Sequence, residues 1–288
     1  MRKLIIITVI LFAAISSVQV MAQKATIQEI SAYAGGGLSA LRYKLSLGDR
    51  SGGGGVDFGF GYTYAWPRER VTGSETVFSE RIGVYTGIGF GFYNASAKVA
   101  GVHEPSALEK DSDGDEFYLI TTLSGYKEKQ NSVFLNIPVM ADYQVEPFYF
   151  RAGFKFGIPL NGKYRAKDAT LKNVSEYPKY ESKISDIEWL SCGEFKKTTN
   201  GKVDLGVAVM LALEAGYKYR IRSNIVLYGG AYLDIGMNNV AKKSGSPLVN
   251  YAKANPSEFT TNSVMSSFAD KTKIMAVGVK VHVAWMPF

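Results

Sequence analysis

The chain is short of cysteine, histidine and long apolar runs, and each shortage removes a class of protein. Cys192 is the only cysteine in 288 residues. An intramolecular disulfide is therefore excluded, no cysteine cluster for zinc exists, and Cys192 reads as a lone thiol in a loop. There are two histidines, His103 and His282, and neither sits in a metal or catalytic signature. No catalytic residue, metal or cofactor is expected. Beyond the first 22 residues no run of about 20 apolar residues occurs, which disfavours a helical membrane protein. The formal charge is +7, or +5 once Arg2 and Lys3 leave with the leader described next. Those charges are spread through loops and strand ends, so no nucleic-acid patch is expected.

What is present begins with that leader. Met1-Arg-Lys is a positive start, Leu4 to Ile15 an apolar core, and Val20-Met-Ala22 a small-residue cleavage site before Gln23. Residues 1–22 are expected to be a secretory signal peptide, and residues 23–288 one domain.

The last stretch organises the rest. Met275, Val277, Val279, Val281, Val283 and Trp285 alternate with Ala276, Gly278, Lys280, His282 and Ala284. That is a strand with one greasy face and one small or polar face, long enough to cross a membrane at a tilt. A lone strand leaves its backbone groups unpaired in lipid, so others must close a barrel with it. The mean hydropathy of −0.03 does not oppose this, because alternation hides barrels from averages.

Seven further strands follow from the same pattern: Ile30–Leu45, Val56–Trp66, about Glu80–Val99, Ser132–Val145, Phe148–Lys163, Val203–Tyr219 and Ile225–Met237. Pro138 is awkward in its strand and is expected at a bulge. Gly101 to Asn131, Ala166 to Gly201 and Asn238 to Asp270 read as long loops. The first holds Asp111-Ser-Asp-Gly-Asp-Glu116, which departs from a calcium-binding hand loop because its glycine is fourth, not sixth. Links after strands one, three, five and seven are mostly long and the others short. The expected fold is therefore an all-β, eight-stranded antiparallel transmembrane barrel, with long loops extracellular and both termini periplasmic.

This pattern resembles the eight-stranded outer-membrane barrels of the OmpA/OmpX type, especially the small porin-family barrels of Bacteroidota. The resemblance is carried by the leader, Phe134-Leu-Asn-Ile-Pro138 before a tight link, Phe148-Tyr-Phe-Arg-Ala-Gly-Phe-Lys-Phe-Gly157, and Phe288. It implies an integral, monomeric outer-membrane protein without a peptidoglycan-binding domain. The implied surroundings are outer-membrane lipid and lipopolysaccharide, with the barrel-assembly machinery met during insertion. In such proteins a terminal Phe looks like part of the signal that this machinery reads. Here counting back in twos from Phe288 gives Met286, Ala284 and His282, off the greasy face.

An eight-stranded lumen is about wide enough for side chains to fill. The inward parity collects Asp57, Arg81, Asn136, Arg151, Lys155, Asp204, Glu214, Asp234, Lys280 and His282. An ionic plug is expected, with a narrow or gated porin as the alternative. A lipid-modifying enzyme, built on His103 or His282, is the second alternative. The loop aromatics Tyr177, Tyr180, Trp189 and Phe195 are candidates for a surface that binds an extracellular ligand.

Overall fold

Alternation of outward apolar and inward small or polar side chains runs along part of each ring strand. The computed structural model describes residues 26–45, 48–72, 76–102, 108–187, 192–242, 247, 249–250 and 260–287. The leader, His103, Trp189 and Phe288 lie outside these residues.

Eight strands form a hydrogen-bonded ring: β1 (Ile27–Arg42), β2 (Asp49–Thr72), β3 (Thr76–Val102), β4 (Glu116–Val145), β5 (Phe148–Tyr177), β6 (Ala208–Arg222), β7 (Ile225–Gly236) and β8 (Lys273–Trp285). Each strand pairs antiparallel with its sequence neighbours. The seam is closed by β8 against β1, with Ile30 opposite Trp285 and Leu38 opposite Val277. Short turns join β4 to β5 and β6 to β7; the former is Glu146–Pro147, with a cis peptide bond. Pro138 faces Lys155 of β5 in regular register, and the irregularity in that pair falls instead at Val133/Phe134.

The outside of the ring carries an apolar band. Val277, Val279, Val281, Val283 and Trp285 are exposed along β8, as are Phe148, Phe150, Phe154 and Phe156 along β5. At about 3.3 Å per residue, Val277 to Trp285 covers roughly 26 Å of strand, or about 20 Å of height at the usual tilt. Trp66, Tyr143, Tyr217, Tyr219 and Trp285 gather at the short-turn end of the band.

At the other end the strands continue past the band, and here the sequence-based boundaries need correction. β4 begins at Glu116 and β5 runs to Tyr177, so much of both expected loops is strand. Gly193–Lys202 adds a further strand alongside β5. Phe117, Leu119, Tyr126, Ala166, Leu171 and Tyr177 fill the inside of this extension with a second apolar core. Val203 and Leu205 do not continue β6. They turn inward into the buried cluster that also holds Tyr43, Tyr164 and Met265, while Asp204 is exposed rather than inward.

Candidate functional site

The inward faces of all eight ring strands meet in a polar interior. Its first layer joins β1, β3 and β7. Arg81 Nη1 lies 2.8 Å from Glu29 Oε1, and the Tyr228 hydroxyl donates to Glu29 Oε2 at 2.8 Å while also touching the Arg81 guanidinium. Gln144 donates to Asp142 at 2.8 Å.

The middle layer centres on Glu214 of β6. His282 Nε2 is 2.6 Å from Glu214 Oε1 and donates to it, since a carboxylate only accepts. Tyr149 donates to the same oxygen at 3.0 Å, and Arg151 Nη1 approaches it at 3.3 Å. Arg151 Nε also binds Asp142 at 2.7 Å, and its guanidinium lies 4.2 Å above the Tyr85 ring.

In the third layer Lys155 Nζ sits between Asp234 Oδ2 at 2.6 Å and Asp57 Oδ2 at 3.2 Å. Lys280 Nζ reaches Asp57 at 3.0 Å and Glu214 at 3.7 Å, linking the third layer to the middle one. A buried charge is tolerated only with such partners. The result is one continuous chain of contacts, Asp234–Lys155–Asp57–Lys280–Glu214–Arg151–Asp142, that crosses the interior. A cavity lined by Tyr33, Tyr85, Lys155, Glu214, Asp234 and Lys280 measures about 10 Å³, room for a single water.

The structure thus brings Asp57, Arg151, Lys155, Glu214, Asp234, Lys280 and His282 together, and sets Arg81 in the adjoining layer. Sequence reasoning missed Glu29 and Asp142 as partners of Arg81 and Arg151. The expected first strand begins at Ile30 and so leaves out Glu29, whereas β1 begins at Ile27. Asp142 had the right parity, but its partner across the sheet is visible only in the register, which sets Asp142 opposite Arg151. A Glu–His pair is two thirds of a nucleophilic triad. His282 Nδ1, however, has no hydrogen-bond partner among the described residues, so no hydroxyl is docked where a nucleophile would stand.

A second polar cluster, also missed, lies in the extension, outside the apolar band. Glu128 is fully buried. Gln130 donates to its Oε1 at 2.7 Å, Tyr126 to its Oε2 at 3.0 Å, and the Val264 N–H to Oε2 at 3.0 Å. The Ser263 hydroxyl donates to Oε1 as well. Burial raises the Glu128 carboxyl above its usual range. Ser263 caps the short helix Val264–Phe268, so Glu128 ties the segment between β7 and β8 into the mouth of the ring.

The expected loop-binding aromatics divide. Tyr177 is buried, stacked on Phe117 at 5.4 Å, and Phe195 is half-buried against the same core, so neither is an exposed anchor. Tyr180 is exposed and bonds Asp115 Oδ2 at 2.8 Å. In the acidic run, Asp111 accepts from the N–H groups of Asp113 and Asp115 at 3.0 and 2.9 Å. Cys192 lies in the loop just before the strand Gly193–Lys202 and is buried, with its sulfur 2.8 Å from Ser175 Oγ.

Among known proteins, the chain is similar over 90% of its length to a major outer membrane protein from Thermus thermophilus, at 12% identity, 98% coverage of that chain and a TM-score of 0.28. It is similar over 91% to Ail, the attachment invasion locus protein of Yersinia pestis, at 11% identity, 100% coverage and 0.25. It is similar over 92% to the outer membrane protease OmpT from Escherichia coli, at 10% identity, 97% coverage and 0.30. No curated protein matches it. The family model described as outer membrane protein beta-barrel domain matches residues 72–242, which hold β3 to β7, and the structure adds β1, β2 and β8 to complete the ring. The chain belongs to the outer membrane protein beta-barrel domain family.

Proposed function

We propose that this protein is an eight-stranded, OmpA/OmpX-like barrel, sealed inside, that works as a structural or surface-interacting component of the outer membrane. The observation that carries the sealed reading is the unbroken chain of ion pairs from Asp234 to Asp142, with room beside it for about one water. A conducting path needs a wetted gap, and each cation in this chain has a carboxylate within 3.7 Å. Among the described residues Nδ1 of His282 has no hydrogen-bond partner, and in this reading the Glu214–His282 pair belongs to the ion network.

In this reading the apolar band lies in lipid and the extension of β3, β4 and β5 faces outward. The short turns and both chain ends are periplasmic, and the protein is a monomer surrounded by outer-membrane lipid. The test is single-channel recording of the refolded protein in a planar bilayer, after heat-modifiable gel migration has verified folding. A folded, silent barrel is expected. Reproducible conductance steps that change when Lys155 or Glu214 is neutralised would replace the sealed reading with a narrow pore.

A further inference from the structure

The outer face of the extension breaks a rule of sheet stability. Just past the apolar band, the register sets Lys163 opposite Lys202 and Lys129 opposite Arg165. One row further, Lys98, Lys127 and Lys167 stand side by side on β3, β4 and β5. All these cations are exposed, and all lie on the face opposite the buried Tyr126, Glu128 and Tyr164. Like charges directly across a sheet are destabilising, and four such pairs occur here.

Among the described residues, no ion pair supplies their counter-charges. The exposed ion pairs among the described residues lie elsewhere, as Lys110–Glu116, Lys179–Asp115, Lys183–Glu176 and Arg220–Glu146. Within the three rows, the carboxylate whose side chain is described is Asp49, at the edge opposite Lys98. The other row members are Asn94, Asn131, Asn200, Ser51 and Ser96, which donate hydrogen bonds but bring no charge.

Height identifies the anion. The rows stand two, four and six residues beyond Phe92 and Val133, the last outward apolar pair on β3 and β4. At about 3.3 Å per residue and a tilt of about 40°, they rise roughly 5, 10 and 15 Å above the hydrocarbon edge. The headgroup layer occupies about 5–8 Å on each side of a bilayer. The first row lies in that layer, and the second reaches it along flexible stems. Arg165, with its planar fork, is flanked by lysines in an arrangement suited to phosphate.

Resting on the barrel reading above, we infer that the outward face of β3, β4, β5 and the strand Gly193–Lys202 binds phosphate-bearing lipid headgroups of the leaflet around it.

The probe is bisphosphorylated lipid A in phosphatidylcholine vesicles, against phosphatidylcholine alone and against dephosphorylated lipid A. The readout is the amount of lipid A that stays with the purified full chain. Phosphorylated lipid A is expected to be retained, and K129Q/K163Q/R165Q is expected to weaken retention about a hundredfold, at roughly fivefold per cation. A control triple, K110Q/K179Q/K183Q, removes the same charge from the far tip and is expected to leave retention unchanged. In a second measurement, Lys127→Thr should stabilise the barrel in zwitterionic detergent, by relieving the row, and lose the stabilisation that lipid A gives.

Equal loss in both triples, or no dependence on phosphorylation, would overturn the inference while leaving the barrel intact. So would saturation of the same face by soluble dextran sulfate with no preference for lipid. Absence of a heat-modifiable band in any bilayer would instead sink the barrel reading, and the inference with it.

Discussion

Glu214 Oε1 receives His282 Nε2 at 2.6 Å and Arg151 Nη1 at 3.3 Å, so one buried oxygen joins β5, β6 and β8. Removing one member of a buried ion pair typically costs about 3–5 kcal/mol, because its partners stay buried without compensation. Glu214→Gln is therefore expected to lower stability by about that amount. Urea unfolding in detergent micelles measures it, and a wild-type midpoint would mean the interior relaxes around the loss.

Glycine on the inward face is a matter of space. A Cβ on Gly89 would collide with the Tyr33 hydroxyl and stand 2.6 Å from the Phe58 carbonyl, whereas one on the outward-facing Gly229 would meet nothing within 4 Å. Gly89→Val is expected to cost at least about 1–3 kcal/mol by overpacking. Gly229→Val should fold like the parent. The folded fraction on a heat-modifiable gel distinguishes them, and equal fractions would refute the assignment of inside and outside.

Glu128 gives the extension a pH dependence of definite sign. The groups facing it are Tyr126 and Gln130 from its own strand, and Ser263 and the Val264 N–H from the segment after β7. No cation pairs with it among the described residues. Its raised folded value means the folded chain holds a proton to higher pH than the unfolded chain does. The contribution to stability is fully present in acid and is lost as pH rises from the unfolded value of 4.5 through the folded one. The difference in unfolding midpoint between the parent and Glu128→Gln should therefore shift towards the parent as pH falls through this window. A difference that does not vary with pH would contradict it.

The ring strands were legible because an apolar outside and a polar inside impose a period of two. The alternation read from Met275 to Trp285 lies within β8, Lys273–Trp285. The extension was not legible, because its alternation is inverted. Lys127 and Lys129 point out, while Tyr126, Glu128 and Gln130 point in, and such a polar stretch resembles a loop. The phase also slips at Gly125, whose φ of 64° suits glycine, so Phe117 and Leu119 are inward on odd numbers and Tyr126 on an even one. Buried Tyr177 and half-buried Phe195 look like surface anchors in sequence, since their covering partners come from distant strands.

The seam between β1 and β8 has a kinetic meaning. The first strand of the ring cannot satisfy its second edge until the last one arrives, so closure depends on a contact among the most distant in the chain. Seven strands without the eighth would present two raw edges, open to pairing with other chains. Any partly formed ring is thus expected to need protection of its open edges until the final register locks.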